Sequence, residues 1–207
     1  MQELEGVVSS YQSDGEVYVF QVRIHGRGGQ GVVTAAELLA QSAFDEKRFA
    51  QAFPSFGSER TGAPVVAFCR IADEQIRVRE PIMFPDAIII QDSTLIKQVD
   101  VFAGLRSDGY ALINSTRSFE QLGIGELAAT HPRFITVPAT ALAMEHLGRP
   151  VPNAVLLGAF AALTQTVSLH SVTDAISEKF KPKVAASNCA AATAAYEYVL
   201  SMVASNA

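Results

Sequence analysis

The sequence has few of the residues that would bind an iron–sulfur cluster or a structural zinc ion. Two cysteines, Cys69 and Cys189, occur among 207 residues, and they lie far apart in the chain. Iron–sulfur clusters are bound by sets of cysteine thiolates, and structural zinc by cysteine or histidine pairs at short spacing. The chain therefore does not bind a cluster by itself. We interpret its cysteines as two buried free thiols of a reducing compartment rather than as a disulfide.

The sequence also lacks a long hydrophobic run and a surplus of basic residues. No apolar stretch reaches the roughly 18 residues that a bilayer-spanning helix needs, and no basic segment followed by an apolar one begins the chain. The 16 lysine and arginine residues are scattered, and the formal net charge is −5. These features argue against nucleic-acid and membrane partners and predict a cytoplasmic protein.

What the sequence does contain is an alternation of strand-like and helix-like segments. Residues 1–15 show no clear period and are interpreted as an N-terminal extension, and residues 16–207 as a single α/β domain. The patterns predict strands at 17–25, 48–53, 85–92, 109–115 and 133–139, a hairpin over 64–80 that turns at 72–75, and helices at 31–47, 139–147, 155–166, 172–180 and 184–203. This order predicts an open, mostly parallel sheet with helices on both faces, a three-layer, Rossmann-like α/β fold.

The first functional signal is a glycine loop between the first predicted strand and the first predicted helix. Gly26, Gly28 and Gly31 form the pattern G-x-G-x-x-G in "HGRGGQGVV". Glycine allows the backbone to turn tightly, and the first amides of a helix favour an anion. The pattern predicts a site for phosphate or a phosphate-bearing ligand. The alternative is a tight turn whose glycines serve packing alone.

A nicotinamide or flavin dinucleotide would need a further residue. The ribose of such a ligand is bound by an acidic residue at the end of the second strand. That strand ends in Phe53 and Pro54, whereas Asp45 and Glu46 come too early and Glu59 comes too late. A stand-alone NAD(P)-dependent oxidoreductase is therefore the less favoured alternative.

The loop after the second strand is more distinctive. In "PSFGSERTGA", Ser58, Arg60 and Thr61 offer two hydroxyl groups and a guanidinium, which suit phosphate oxygens. Loops that follow neighbouring parallel strands lie at the carboxyl edge of the sheet, where ligands bind. The two loops are therefore expected to approach one anionic ligand. The alternative for Arg60 is a solvated side chain or an ion pair with Glu59 or Glu80.

Three further polar residues have mainly structural interpretations. Asp92 follows a buried predicted strand and is expected to cap the next helix rather than bind a ligand. His25 ends the first strand and is expected to be a structural hydrogen-bond donor rather than a ligand-binding group. Asn153 either begins a helix as its cap or belongs to a subunit contact.

With both loops considered, the sequence resembles the gamma subunit of the 2-oxoacid:ferredoxin oxidoreductases, most closely the pyruvate branch. The resemblance extends from about Val17 to Tyr198. It is carried by the segments "HGRGGQGVVTAAELLA", "QAFPSFGSERTGAPVVAFCRI", "IRVREPI", "PDAIIIQDSTLI" and "VPNAVLLGAF".

The resemblance implies a role within a larger enzyme. That enzyme oxidatively decarboxylates a 2-oxoacid, transfers the acyl group to coenzyme A and passes electrons to ferredoxin. It implies that alpha, beta and delta-type subunits are partners and that thiamine diphosphate, magnesium and 4Fe-4S clusters lie on them. The isolated chain is then expected to be inactive and to carry no catalytic residue or metal.

The resemblance also implies that this chain contributes the coenzyme A site. The residues expected to face coenzyme A are Gly26, Arg27, Gly28, Gly29, Gln30, Gly31, Ser58, Arg60, Thr61 and Gly62. In single-chain relatives the second loop carries lysines, whereas here Arg60 alone keeps a positive charge in the Ser58–Gly62 segment. A subunit with a purely structural role in assembly is the remaining alternative.

Overall fold

A computed structural model describes residues 18–55 and 61–206 of the chain. The N-terminal extension predicted over residues 1–15 lies outside the described residues. The described strands are β1 (Val19–Arg27), β2 (Phe49–Pro54), β3 (Pro64–Ala72), β4 (Ala87–Ile90), β5 (Tyr110–Asn114) and β6 (Phe134–Val137). Each of these six strands lies within or close to a segment that was predicted as extended.

The strands form one sheet in the order β2-β3-β1-β4-β5-β6. β1 and β4, β4 and β5, and β5 and β6 pair in parallel. β3 is antiparallel to both of its neighbours, β1 and β2. Among the described strands, β3 alone therefore runs against the others, which confirms the predicted mostly parallel sheet.

The hairpin predicted over residues 64–80 was wrong in its second arm. Its first arm is β3, but the partner of β3 on the outer side is β2, and residues 76–80 form no strand. The guanidinium of Arg70 on β3 donates hydrogen bonds to the carbonyl oxygens of Val78 (3.4 Å) and Glu80. The segment therefore lies across Arg70, and its main-chain acceptors are used by a side chain instead of a neighbouring strand.

The helices are α1 (Val32–Asp45), α2 (Phe119–Leu122), α3 (Gly125–Ala129), α4 (Ala139–Leu147), α5 (Asn153–Thr164), α6 (Leu169–Lys179) and α7 (Pro182–Asn206). A 3₁₀ helix occupies Ser93–Lys97. The predicted bounds of α4 are confirmed, and those of the other long helices differ by a few residues. The sequence did not predict α2, α3 or the 3₁₀ helix, because each is too short to show a helical period. Within the described residues, no helix combines the length and apolar character that crossing a bilayer requires.

The sheet separates two apolar layers. On one face, alternate residues of β1, β3, β4 and β5 pack in a large core with α1, α4, α5, α6 and α7. On the other face, Ile88, Ile90 and Ile113 pack with Leu95 of the 3₁₀ helix and with residues of α2 and its following loop. Strands with apolar residues on both faces are typical of a covered parallel sheet. The predicted three-layer α/β arrangement is confirmed.

Helix α5 occupies the middle of the larger core. The residues from Asn153 to Ala162 are all buried. At Gly158 the helix lies directly against α7, since a Cβ atom placed there would be 2.8 Å from the Cα of Ala192 and closer still to its carbonyl group. Glycine at this position allows the two helix backbones to approach more closely than any larger residue would.

Both cysteines are free thiols, as predicted. Cys69 on β3 is fully buried, and burial raises the pKa of its thiol to about 12. Cys189 on α7 is half-buried rather than buried, and its sulfur contacts the carbonyl oxygen of Thr173 at 3.4 Å.

Candidate functional site

The glycine loop, residues 26–31, joins the end of β1 to the start of α1. Gly29 and Gly31 have φ angles of 92° and 73°, in the left-handed region that favours glycine. Within the described part of the chain, no side chain caps the N-terminus of α1. The first amides of this helix are therefore available to an anion, and the helix dipole favours one there.

The glycines of this loop serve two different purposes. A Cβ atom at Gly26 would lie 2.6 Å from a methyl group of Val32, and one at Gly31 would lie 2.5 Å from the side-chain amide of Asn153. Gly26 and Gly31 are thus required by close packing. A Cβ atom at Gly29 would meet no heavy atom of the described chain within 4 Å. The backbone at Gly29 therefore borders open space, where a ligand can approach.

The second loop, residues 54–63, is hydrogen-bonded to the glycine loop through its described residues 61–63. Gly28 and Thr61 form a parallel β-bridge beyond the end of β1. The Gly28 amide donates to the carbonyl of Ala63 (2.9 Å), and the Gly62 amide donates to the carbonyl of Gly28 (3.1 Å). The structure thus brings together the two loops expected to share one ligand. Ser58 and Arg60, which were predicted to bind phosphate, lie outside the described residues.

Arg27 joins the two loops to a third segment. Its guanidinium donates hydrogen bonds to Asp92 (2.9 Å), the Gly62 carbonyl (3.1 Å), Thr94 (2.7 Å) and Gln98 (3.0 Å). Most of its donors are therefore used within the protein. The contacts give Arg27 a structural role that sequence reasoning did not predict, namely fixing the relative positions of these loops. We call this set of contacts the Arg27 clamp.

The polar side chains around the clamp are also paired. Gln30 accepts a hydrogen bond from the Arg27 amide (2.8 Å) and donates one to Asp92 (3.2 Å). Asp92 caps the 3₁₀ helix by accepting from the Thr94 amide (3.0 Å), which confirms its predicted capping role. Burial would raise the pKa of Asp92, but hydrogen bonds from Thr94, Gln30 and Arg27 together hold that pKa below its ordinary value. Asp92 is thus held as a carboxylate beside a guanidinium.

Replacing Arg27 with lysine is expected to lower the free energy of unfolding by about 1–2 kcal/mol. Lysine keeps the positive charge beside Asp92, but it lacks the planar fork that reaches several acceptors at once. Urea-induced unfolding of the purified chain measures the effect. Arg48→Lys is a suitable control, because the Arg48 guanidinium also bonds an aspartate, Asp73, and a single carbonyl, that of Thr166 (3.1 Å), but Asp73 is 84% exposed and exposed pairs contribute little. Equal losses in the two variants would contradict the role of the clamp.

A polar crevice lies beside the glycine loop at the carboxyl edge of the sheet. Its volume is about 510 Å³. It is lined by Gln30, Gln91, Asp92, Ser93, Asn114, Ser115, Thr116, Arg117, Pro138, Thr140, Ala141 and Met144. These residues lie at or beyond the ends of β1, β4, β5 and β6, whose carboxyl ends meet at this edge. Open α/β sheets bind ligands at this position.

Most of the crevice residues were missed by sequence reasoning. A signal was present in "NSTRS", residues 114–118, where hydroxyl groups and a guanidinium directly follow a buried strand. Asn114 is engaged within the protein, since its amide donates to the Gln91 carbonyl (2.8 Å) and to Thr140 (2.7 Å). Asn114 thus fixes two walls of the crevice relative to each other.

His25 is a structural residue, as predicted, but it accepts a hydrogen bond where a donor was expected. The side chain of His25 is buried on β1, and its Nε2 atom accepts from Nε of Arg23 at 3.0 Å. Burial, together with the nearby charge of Arg23, lowers the pKa of His25 to about 3. His25 is therefore neutral at physiological pH. Arg23 also donates to the carbonyl oxygens of Val101 (3.0 Å) and Ala103 (2.6 Å).

The sheet order opposes the NAD(P) alternative. In a dinucleotide site, the acidic residue that binds the ribose ends the strand next to β1. Here the neighbour of β1 on that side is the antiparallel strand β3, and β2 ends at Pro54. Among the described residues, no group of three or more His, Cys, Asp or Glu side chains is placed to hold a metal ion.

Asn153 begins a helix, as one of its two interpretations predicted, but the capping role that went with that interpretation was wrong. It is the first residue of α5, and Pro152 precedes it as the cap residue. The side-chain oxygen of Asn153 accepts from the amide of Ala154 at 2.8 Å, and its nitrogen packs against Gly31. The Asn153 side chain therefore packs directly against the glycine loop at Gly31.

Comparison with known proteins matches the chain to subunits of pyruvate oxidoreductases. Residues 21–198 match the family described as pyruvate ferredoxin/flavodoxin oxidoreductase. The chain is 48% identical over 179 residues to pyruvate synthase subunit PorC of Methanothermobacter marburgensis, covering 86% of this chain and 97% of the relative. It is 43% identical over 179 residues to the pyruvate/ketoisovalerate oxidoreductases common subunit gamma of Pyrococcus furiosus, covering 86% and 96%.

Solved structures of similar proteins share the fold of this chain. The pyruvate oxidoreductase subunit PORC of Thermotoga maritima has a TM-score of 0.74 and 33% identity, covering 86% of this chain and 96% of that one. A 2-oxoglutarate:ferredoxin oxidoreductase of Magnetococcus marinus, solved with 2-oxoglutarate, coenzyme A and succinyl-CoA bound, shares the fold. Its TM-score is 0.69 at 18% identity, covering 88% of this chain and 31% of that one. On the family match and the identity to these gamma and PorC subunits, the chain belongs to the pyruvate ferredoxin/flavodoxin oxidoreductase family, as a gamma subunit.

Proposed function

We propose that this gamma subunit contributes the coenzyme A site of a thiamine-dependent 2-oxoacid:ferredoxin oxidoreductase. One observation carries the proposal: the glycine loop is hydrogen-bonded to the second loop at the uncapped N-terminus of α1. Backbone amides at a helix N-terminus favour phosphate groups. The second loop adds the Thr61 hydroxyl in the described chain, and Ser58 and Arg60 in the sequence.

The surroundings of the loops suit a large phosphate-bearing ligand. The backbone at Gly29 borders open space, whereas Gly26 and Gly31 are packed against the protein. The crevice of about 510 Å³ begins at Gln30, directly beside the loop. A ligand that extends from the loop therefore has a polar surface along which to lie. The Magnetococcus marinus oxidoreductase, whose chain shares this fold over 31% of its length, was solved with coenzyme A bound.

The chemistry assigned to this chain is binding and orientation. Coenzyme A supplies the thiol that accepts the acyl group. A thiol held beside a reaction centre behaves as an intramolecular reactant, which can contribute several kcal/mol to the lowering of the barrier. The residues of the two loops do not take part in bond making. We place thiamine diphosphate, magnesium and the iron–sulfur clusters on the alpha, beta and delta-type subunits, with ferredoxin as the electron acceptor.

We propose pyruvate as the 2-oxoacid, with partner subunits shaping its pocket. The relative from Methanothermobacter marburgensis is named for pyruvate alone. The relative from Pyrococcus furiosus is named as a common subunit of pyruvate and ketoisovalerate oxidoreductases. One gamma subunit that serves two 2-oxoacids supports a division in which the gamma subunit binds the shared substrate, coenzyme A.

Gly29→Ala and Arg60→Ala are each expected to raise the apparent KM for coenzyme A about tenfold in the assembled complex. Alanine at a φ of 92° is strained by about 1–2 kcal/mol, and relief of that strain turns the loop amides away from the phosphate. Loss of Arg60 removes a charge-assisted hydrogen bond of roughly 1.5–3 kcal/mol. The measurement is pyruvate-dependent reduction of an electron acceptor while coenzyme A is titrated.

Gly148→Ala is the matched control for the glycine variant. Gly148 also has a positive φ, 67°, with open space around an added methyl group, but it lies at the end of α4 and does not line the crevice. Its KM for coenzyme A is expected to stay at the wild-type value. Suppose that both test variants assemble normally and leave the titration curve unmoved. The loops would then have the structural assembly role, and the proposed coenzyme A site would be wrong.

A further inference from the structure

The crevice contains a buried side chain whose hydrogen-bonding groups are unused. Gln91 follows β4 and is only 1% exposed. Both polar atoms of its side chain lack a hydrogen-bond partner among the residues that the structure describes. An unpaired buried amide costs about 1–3 kcal/mol, so such groups usually meet a partner in the functional state. Gln91 therefore indicates a ligand that offers a donor and an acceptor at the inner end of the crevice.

The outer part of the crevice carries a cation that is not neutralised. Arg117 is exposed, and its guanidinium donates one hydrogen bond, to the Ser93 hydroxyl at 3.3 Å. No carboxylate of residues 18–55 or 61–206 lies within ion-pair distance of it. The carboxylate in the crevice, Asp92, is paired with Arg27. The charge presented to a ligand is thus positive.

Hydroxyl groups surround this cation. Ser93, Ser115 and Thr116 line the crevice together with Arg117. Arginine with several hydroxyl groups is well suited to a phosphate, since the guanidinium fork matches two of its oxygens. This set lies on the segments that follow β4 and β5, at the start of the 3₁₀ helix and in the loop after β5, separate from the glycine loop that follows β1. The carboxyl edge therefore presents two surfaces suited to an anion, and the crevice adjoins both.

We propose that Arg117 binds the ribose 3′-phosphate of coenzyme A and that Gln91 meets the hydrogen-bonding edge of its adenine. The inference rests on the proposed function, and it names the part of the same ligand that the crevice recognises. Coenzyme A carries phosphate at two places, the diphosphate and the ribose 3′ position. The glycine loop binds the first and Arg117 the second. Arg117 then distinguishes coenzyme A from 3′-dephospho-coenzyme A.

The test compares these two compounds as acyl acceptors in the assembled complex. In the wild type, the KM for 3′-dephospho-coenzyme A is expected to exceed that for coenzyme A about tenfold or more, as for loss of a charge-assisted hydrogen bond. Arg117→Gln is expected to raise the KM for coenzyme A by a similar factor and to leave the KM for the dephospho compound unchanged. The discrimination is therefore lost. The control Arg79→Gln removes an exposed arginine outside the crevice and is expected to retain it.

A second variant tests the adenine contact. Gln91→Met keeps the volume and removes the unpaired amide, so the fold is expected to tolerate it. Because both compounds contain adenine, their KM values are expected to rise by the same factor, with the discrimination retained. A wild type that does not distinguish the two compounds, or an Arg117→Gln variant that still does, would overturn the phosphate assignment. An unchanged KM in Gln91→Met would overturn the adenine assignment. The loop variants Gly29→Ala and Arg60→Ala test the proposed function independently of either outcome.

Discussion

Replacing Gly158 with alanine is expected to lower the free energy of unfolding by about 2–3 kcal/mol, as for an overpacked core. In an exposed helix the same change is favourable by about 1 kcal/mol, because alanine is the better helix former. The sign reverses here since the new methyl group would overlap the Ala192 backbone on α7. A backbone cannot change rotamer to make room, so the two helices must separate.

Urea-induced unfolding of the purified chain, followed by circular dichroism, measures this effect. Gly125→Ala is the matched control, because Gly125 is also helical and a methyl group there would meet mainly the flexible side chain of Glu120, at 3.3 Å. Its free energy of unfolding is expected to change by less than about 0.5 kcal/mol. If Gly158→Ala were as stable as the wild type, the close approach of α5 and α7 would be wrong.

The second large effect concerns the response of stability to acid. The pKa of His25 falls from 6.5 to about 3 on folding, because burial and the nearby charge of Arg23 oppose its protonation. Between these pH values the unfolded chain binds a proton at this histidine and the native chain does not. The contribution of neutral His25 to the free energy of unfolding is therefore fully present above pH 6.5 and is lost progressively as the pH falls toward 3. One such proton gives a slope of about 1.4 kcal/mol per pH unit.

The measurement is the free energy of unfolding in urea at several pH values between about 6.5 and 4.5, a range that precedes the titration of most carboxylates. His25→Gln supplies an acceptor for Arg23 without a titratable group. Its slope against pH is expected to be smaller than that of the wild type by nearly one proton. Parallel profiles for the two proteins would mean that His25 binds its proton equally well in the folded and the unfolded chain, which would contradict the lowered pKa.

Local sequence patterns predicted most of the fold. The runs around β4, β5 and β6 are apolar throughout, which is typical of strands covered on both faces. The second arm of the predicted hairpin was wrong, because the alternation in residues 76–80 resembles a strand while the carbonyl groups there are bound by Arg70. Arg70 is only 8 and 10 residues away from these carbonyl groups, but the contact runs from a side chain to the main chain, which the alternation of side chains does not reveal. The period of side chains along a segment does not show where its backbone groups will pair.

Part of the candidate site could likewise be predicted from local sequence patterns. The glycine loop and the second loop each carry a local signal, and the structure places them side by side. The crevice combines Gln91 and Arg117 with residues that follow other strands. Their proximity depends on the order of strands in the sheet, which the sequence does not state directly. The roles of Ser58 and Arg60 remain predictions.

The Arg27 clamp also has a consequence for the thermodynamics of binding. Because Arg27 holds Gly62, Asp92 and Thr94 in place through protein contacts alone, these parts of the loops are already ordered before any ligand arrives. A site that is preorganised in this way loses little conformational entropy on association. More of the contact energy then remains to fix the orientation of the bound molecule, and the proposed delivery of one end of a long, flexible ligand to a neighbouring centre depends on that orientation.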